Sequence, residues 1–179
     1  MNKLVVKTDG LLETADSDIA VLEQAGLRFA EGTYLTEDEL IDACGEASGL
    51  LVLREPITER VLGALPNLAV IARFGVGLDS IDTDAAARRG VVVTNVPDAN
   101  VHEVATHAVT LATSLVRRIG DYDAEVRAGG WRFQLPGRDV HRLTSLTFGV
   151  LGLGQIGRQT GAMASALGYR VQAHDPAIA

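Results

Sequence analysis

A glycine-rich junction between a strand-like segment and a helix-like segment constrains the fold of this chain more than any other feature. Residues 147–151, TFGVL, have the pattern of a strand, and residues 152–157, GLGQIG, follow directly. A helix pattern comes next, and an apolar run over residues 169–174 leads to Asp175, 18 positions after Gly157. This order is typical of the first βαβ part of a Rossmann dinucleotide-binding domain.

Each glycine of the junction has a distinct physical role in that prediction. Gly152 permits a tight turn, Gly154 lets the backbone approach a pyrophosphate, and Gly157 lets helix and strand pack closely. The turn would expose the N–H groups around Gln155 and Ile156 at a helix N-terminus, where the helix dipole favours an anion. The alternative interpretation is a glycine-rich turn of an ordinary α/β domain.

Asp175 indicates which dinucleotide the junction would prefer. A carboxylate at the end of the second strand accepts hydrogen bonds from the 2′- and 3′-hydroxyls of a ribose, and it repels a 2′-phosphate. The sequence therefore predicts an NAD site rather than an NADP site.

Composition excludes several classes of partner. The chain has 179 residues, 47% hydrophobic and 22% charged, which is ordinary for a globular protein. Its net charge of −7 argues against binding to a nucleic-acid backbone. No apolar run approaches the ~20 residues that span a bilayer, and the N-terminus lacks a signal-peptide pattern. We therefore expect a cytoplasmic protein without a nucleic-acid or membrane partner.

Cysteine usage limits the possible cross-links and metal sites. Cys44 is the only cysteine, so an internal disulfide and a cysteine-rich metal site are excluded. Its position in a predicted helix between Ala43 and Gly45 favours a small buried thiol over a nucleophile.

The first 99 residues alternate short strand-like runs with helix-like segments. The strand candidates recur about every twenty residues and lie at Leu4–Val6, Leu27–Phe29, Leu50–Leu53, Leu68–Ile71 and Val91–Val93. Helix starts are indicated by a capping box of Thr36 with Glu39, and by Thr58 and Asp82. We expect an α/β domain with a flavodoxin-like parallel sheet over residues 1–99.

A turn-forming stretch over residues 95–100, NVPDAN, separates this domain from the rest. Asn100 with Glu103 predicts a second capping box, and the helix that follows is apolar over a wide arc. We expect this helix to pack against both domains or against a second subunit. Residues 100–179 would then form an incomplete Rossmann domain.

Several further segments occur in the same order as in a known family. They are PNL at 66–68, RFGVGLDSID at 73–82, RGV at 89–91, TNVP at 94–97, EVA at 103–105, His107 and RAGGW at 127–131. With the glycine-rich junction, they make the chain resemble the D-isomer-specific 2-hydroxyacid dehydrogenases over nearly its whole length. The resemblance is greatest to the phosphoglycerate dehydrogenase and C-terminal-binding-protein branches.

The resemblance implies where a small 2-hydroxy or 2-oxo acid would bind. In the family, the loop matching Arg73–Gly77 holds the substrate carboxylate, here chiefly through the N–H groups of Val76 and Gly77, and Arg73 could add a charge-assisted bond. The alternative is a glycine turn that ends a strand beside a surface arginine. The resemblance also places Val104 near the cofactor, and it implies a homodimer formed through the helix that starts at Asn100.

The resemblance also implies which groups to expect elsewhere. The arginine, the acid/base histidine and its acidic partner that carry hydride transfer in the family lie beyond the first Rossmann half, and no residue here matches them. His102, His107 and His141 receive no catalytic role. We therefore expect an NAD-dependent 2-hydroxyacid oxidoreductase sequence that is truncated and inactive as a 179-residue chain. The alternative is a non-catalytic, NAD-responsive binding module or an inert fragment.

Overall fold

A computed structural model describes residues 3–132, 134 and 140–178 of the chain. The chain forms two compact units, residues 1–99 and residues 100–179. No helix within the described ranges is both long enough and apolar enough to cross a membrane.

The first unit is built on a parallel sheet whose strands alternate with helices. Its elements are β1 (Leu4–Lys7), α1 (Asp16–Gln24), β2 (Arg28–Glu31), α2 (Glu37–Cys44), β3 (Ala47–Val52), α3 (Glu59–Ala64), β4 (Val70–Arg73), α4 (Thr83–Arg88) and β5 (Val92–Thr94). The strand order is β2-β1-β3-β4-β5, and every pair is parallel. This order confirms the predicted flavodoxin-like sheet.

The core of the first unit lies between the central strands and the helices that cover them. Val6, Leu50 and Ile71 of the central strands are almost fully buried, and so are Leu40 of α2 and Val61 of α3. The alternate side chains of the same sheet are less covered, and Val70 and Val92 are 38% and 59% exposed. The carboxyl ends of all five strands meet at one edge of the sheet.

The helix starts predicted in the first unit are confirmed by side-chain hydrogen bonds. Thr36 accepts the N–H of Glu39, and the Glu39 carboxylate accepts the N–H of Thr36, which completes the capping box. Thr58 caps α3 through the N–H of Val61, and Asp82 caps α4 through the N–H of Ala85. Each cap satisfies donors that the first helical turn cannot satisfy internally.

The second unit contains a long helix, a shorter helix and a βαβ segment. Its elements are α5 (Val101–Val116), α6 (Ile119–Arg127), a 3₁₀ turn (Leu143–Ser145), β6 (Thr147–Leu151), α7 (Gln155–Ala166) and β7 (Arg170–His174). β6 and β7 pair in parallel, which confirms the predicted βαβ segment. Helix α5 packs against α7, and their buried residues, among them Ala105, Gly161 and Ala164, are small enough for a close approach.

The predicted capping box at the start of α5 is wrong. Asn100 stands at the N-cap, but no side-chain hydrogen bond caps this helix within the described residues. The backbone of Asn100, with φ −128° and ψ 16°, lies outside the extended region that N-cap residues usually adopt. Only the main chain closes the first turn, through a 2.9 Å hydrogen bond from the Val104 N–H to the Asn100 carbonyl.

Candidate functional site

The glycine-rich junction forms a tight turn from β6 into α7. Gly152 has φ +92°, a left-handed conformation that favours glycine. A Cβ on Gly157 would overlap the carbonyl oxygen of Gly152 and would lie 3.0 Å from its carbonyl carbon. The first turn of α7 therefore lies directly against the turn that leaves β6, as the sequence predicted.

The N-terminus of α7 is open toward solvent. Gly154 is its N-cap, and among the described residues no side chain caps this end of the helix. Gln155 and Ile156, the next two residues, are both exposed. A Cβ built on Gly154 would meet no atom within 4 Å, so space is left beside the backbone. Free N–H groups and open space are what an anion requires at a helix N-terminus.

Asp175 is connected to the glycine-rich turn through Leu153. One carboxylate oxygen, Oδ2, accepts the Leu153 N–H at 2.6 Å, and the other, Oδ1, accepts the Ala177 N–H at 2.8 Å. The Leu153 carbonyl accepts a 2.8 Å hydrogen bond from Nε of Arg158. Asp175 and Arg158 therefore bind the N–H and the carbonyl of Leu153, and Asp175 links the end of β7 to the turn after β6.

Asp175 is held as an anion. Hydrogen bonds from the Leu153 and Ala177 N–H groups, assisted by the charge of Arg158, lower the pKa of Asp175 below its ordinary value of 3.8. An ionised carboxylate accepts about four hydrogen bonds, so two accepted N–H groups leave room for hydroxyl donors. A turn with an open helix N-terminus and an ionised acid at the next strand end fits a diphosphate joined to a ribose.

The loop after β4 is the second candidate binding element, and it lies in the first unit. Gly75 has φ +149°, and a Cβ at this position would lie 2.8 Å from Cζ of Arg73. Nε of Arg73 donates to the Leu53 carbonyl at 3.1 Å, so the half-buried arginine also ties the loop to the end of β3. This contact is structural, and the role of Arg73 toward a substrate stays a prediction.

The carbonyl groups of this loop are anchored by the residues that follow β5. The Val96 N–H donates to the Gly75 carbonyl at 3.0 Å, and Nδ2 of Asn95 donates to the Val76 carbonyl at 2.7 Å. In a trans peptide the N–H points opposite to the carbonyl. The two anchors therefore turn the N–H groups of Val76 and Gly77 away from β5, and no described residue accepts a hydrogen bond from either.

Sequence reasoning missed Asn95 as part of this loop. Its segment was predicted only as a linker, because asparagine and proline favour turns. One signal could have identified it, since Asn95 directly follows Thr94, the last residue of β5, which pairs with β4. Polar residues that follow neighbouring parallel strands meet at the same sheet edge.

The remaining predicted residues are located as follows. Val104 lies in the first turns of α5 and is 40% exposed, and His102, His107 and His141 are exposed. Nowhere in the described part of the chain do three or more histidine, cysteine or acidic side chains converge as metal ligands.

Proteins of known sequence are similar to this chain over most of its length. The chain is 40% identical over 168 residues to the D-3-phosphoglycerate dehydrogenase of Mycobacterium leprae, and this match covers 92% of the chain. It is 36% identical over 181 residues to the enzyme of the same name from Methanocaldococcus jannaschii. The chain spans only 31% and 33% of the lengths of these two curated relatives.

Solved structures match the fold over almost the whole chain. The TT0316 protein from Thermus thermophilus has a TM-score of 0.81 and 30% identity, covering 97% of this chain and 57% of its own. A D-lactate dehydrogenase from Aquifex aeolicus, complexed with NAD and lactic acid, has a TM-score of 0.76 and 25% identity, covering 97% of this chain and 51% of its own.

The family model for the catalytic domain of D-isomer specific 2-hydroxyacid dehydrogenases matches residues 5–173. That range includes the loop after β4, the glycine-rich turn and nearly all of β7. The chain therefore belongs to the D-isomer specific 2-hydroxyacid dehydrogenase family.

Proposed function

We propose that this chain supplies the NAD-binding turn and the substrate-carboxylate loop of an NAD-dependent 2-hydroxyacid dehydrogenase. The observation that carries the proposal is the hydrogen bond from the Leu153 N–H to Asp175, which joins the end of β7 to the glycine-rich turn. The proposal assigns residues 1–99 as the substrate domain and residues 100–179 as the part that binds NAD.

The second unit would hold NAD through its backbone. The N–H groups at Gly154, Gln155 and Ile156 would receive the pyrophosphate, while Gly152 and Gly157 shape the turn. Asp175 would accept the ribose hydroxyls and would disfavour the 2′-phosphate of NADP. Val104, exposed near the start of α5, is proposed as a cofactor contact. NAD, once bound, accepts or donates the hydride.

The first unit would hold the carboxylate of a 2-hydroxy or 2-oxo acid. The Val76 and Gly77 N–H groups are turned outward by the anchors on their carbonyls, and the guanidinium of Arg73 lies beside Gly75. Two N–H groups and a cation suit one carboxylate. The named relatives support this class of substrate, because they are D-3-phosphoglycerate dehydrogenases and a D-lactate dehydrogenase crystallised with lactic acid.

These residues are proposed to bind NAD and substrate, and none of them is proposed to transfer a proton. A general acid or base must reach the reacting oxygen, and no residue of the chain matches the family's acid/base histidine. We therefore propose that the 179-residue chain binds NAD without turnover. A cytoplasmic location and a homodimer through α5 also remain predictions.

Calorimetry on the purified 179-residue chain tests this function. We expect NAD to bind more tightly than NADP, and Asp175→Ser to reduce or reverse that preference. Equal binding of the two cofactors by the unaltered chain would contradict the role of Asp175.

A second measurement separates the dehydrogenase from the binding module. Sodium pyruvate should shift the Val76 and Gly77 amide signals in an NMR titration, while the same sample should not oxidise NADH. Binding of NAD without any pyruvate response would favour an NAD-responsive module. Measurable NADH oxidation would contradict the proposed lack of turnover.

A further inference from the structure

The turn between β6 and α7 is held at three consecutive peptide groups. The Gly152 N–H donates to the His174 carbonyl at 2.8 Å, and the Leu153 N–H donates to Oδ2 of Asp175 at 2.6 Å. Nε of Arg158 donates to the Leu153 carbonyl at 2.8 Å, which fixes the third peptide, the one that follows Leu153. The first two contacts come from β7 and the residue after it, whereas the third comes from α7 itself.

The position of Arg158 in the helix explains its contact with the turn. Gly154 is the N-cap of α7, so Arg158 is the fourth residue of the helix, and helical side chains point back toward the N-terminus. A long side chain at this position therefore reaches the carbonyl that precedes the helix. Arg158 is exposed, and the bond to Leu153 is its only side-chain hydrogen bond within the described ranges.

This contact determines the direction of the Gly154 N–H. No cis peptide occurs in the described chain, so the Gly154 N–H points opposite to the Leu153 carbonyl of the same peptide. The guanidinium of Arg158 holds that carbonyl, and no described residue accepts a hydrogen bond from the Gly154 N–H. The N–H is therefore held away from Arg158 and is free for a ligand.

The charge of Arg158 opposes the dipole of its own helix. The N-terminal end of a helix carries partial positive charge, so a cation close to that end is unfavourable. The first turn of α7 contains no acidic residue that would offset the cation. A bound anion offsets the charge of Arg158 and that of the helix end together, so the placement of this arginine favours an anionic ligand.

We propose that Arg158 is a positioning residue for NAD, which orients the Gly154 N–H toward the diphosphate by holding the Leu153 carbonyl. This role rests on the proposed function and adds to it the side chain that fixes the direction of one free N–H group. Asp175 holds the preceding peptide and is proposed to bind the ribose, so the two charged residues have separate roles.

Arg158→Met tests this role, because methionine keeps a long side chain and removes both the donor and the charge. In the ligand-free chain, the NMR signal of the Gly154 amide should move, since its peptide is no longer held. Calorimetry should show about three- to tenfold weaker binding of NAD. Adenosine, which has the ribose but no phosphate, should bind equally well, as followed from the amide signal of Ala177, whose N–H donates to Asp175.

The matched control is Arg170→Met, which makes the same change of charge in the same βαβ segment. Arg170 lies in β7 and donates to the hydroxyl of Thr147, at the end of β6 opposite to the turn. This variant should leave the Gly154 signal and NAD affinity unchanged. Calorimetry in about 1 M sodium chloride, where the Debye length is about 3 Å, separates orientation from long-range attraction, and the loss in Arg158→Met should persist there.

Four results would overturn the proposal. They are an unmoved Gly154 signal in Arg158→Met, unchanged NAD affinity, a loss of NAD affinity that disappears at high salt, and an equal loss of adenosine affinity, which would mean that Arg158 acts through Asp175. If Arg158→Met does not fold, Arg158→Gln is judged by the same results. Failure of the proposed function is distinguishable, because the unaltered chain itself would then not bind NAD, and that result would overturn the role of Arg158 as well.

Discussion

The side-chain amide of Asn95 donates a 2.7 Å hydrogen bond to the main-chain carbonyl of Val76. The two residues are 19 positions apart, and the bond joins the end of β5 to the loop after β4. Because the peptide between Val76 and Gly77 is planar, fixing the Val76 carbonyl also fixes the direction of the Gly77 N–H.

We expect Asn95→Ala to weaken carboxylate binding more than it weakens the fold. Loss of one hydrogen bond should lower the free energy of unfolding by about 0.5–1.5 kcal/mol. Pyruvate affinity, measured from the Gly77 amide shift, should fall about three- to tenfold because the N–H is no longer held outward. Asn67→Ala, at an exposed turn of the same unit, is the matched control and should leave pyruvate binding unchanged. Equal pyruvate affinity in both variants would contradict the proposed role of Asn95 in orienting the Gly77 N–H.

Alanine substitutions at two glycines, Gly154 and Gly157, should affect NAD binding and the stability of the fold separately. A Cβ on Gly157 would overlap the Gly152 carbonyl oxygen, so Gly157→Ala should lower the free energy of unfolding by about 1–3 kcal/mol. A Cβ on Gly154 meets no atom within 4 Å, so Gly154→Ala should fold normally. Its methyl group would occupy the space proposed for the pyrophosphate, and NAD affinity should fall about tenfold.

Urea denaturation followed by circular dichroism and calorimetry with NAD measure these two effects. Gly149→Ala controls for the substitution itself, because a Cβ there also meets nothing within 4 Å and the residue lies in β6. Unchanged NAD affinity in Gly154→Ala would show that no pyrophosphate approaches that backbone.

The hydrogen bonds of Asp175 predict an acid-sensitive turn. The Leu153 and Ala177 N–H groups lower the pKa of Asp175 in the folded chain below its ordinary 3.8. These hydrogen bonds to the ionised carboxylate therefore stabilise the folded turn above about pH 3.8, and this stabilisation is lost as the pH falls through the lower pKa of folded Asp175. Hydrogen exchange at the Leu153 amide should accelerate, relative to its intrinsic rate, over that acid range. In Asp175→Asn this acceleration should be missing, and an identical profile in both chains would contradict the role of Asp175.

The thiol of Cys44 should be unreactive in the folded chain. Cys44 is fully buried in α2, and burial raises the pKa of its thiol to about 11. At pH 8 the thiolate fraction is then lower by about two orders of magnitude than in an exposed cysteine. Reaction with a disulfide reagent should be slow in the folded chain and rapid in urea. Cys44→Ala provides the baseline, and rapid reaction of the folded chain would contradict the predicted burial.

Local features of this protein are determined by the sequence itself. The caps at Thr36, Thr58 and Asp82 and the turn at Gly152 depend on residues a few positions apart, so their residue types predict them. The central strands are apolar runs of the kind that parallel sheets favour, so the sequence predicts their positions. The exception is Asn100, whose backbone adopts an angle that its residue type does not dictate.

Contacts between distant segments were decided only by the tertiary structure. Asn95 reaches Val76, Asp175 reaches Leu153, and Lys7 at the end of β1 is buried beside Glu31 of β2. Each contact forms because parallel strands bring residues from separate βα units to one edge of a sheet. The sequence by itself determined where the strands, caps and glycine turns lie. The tertiary structure determined which polar groups meet there, since hydrogen bonding depends on distances in space that the order of residues does not specify.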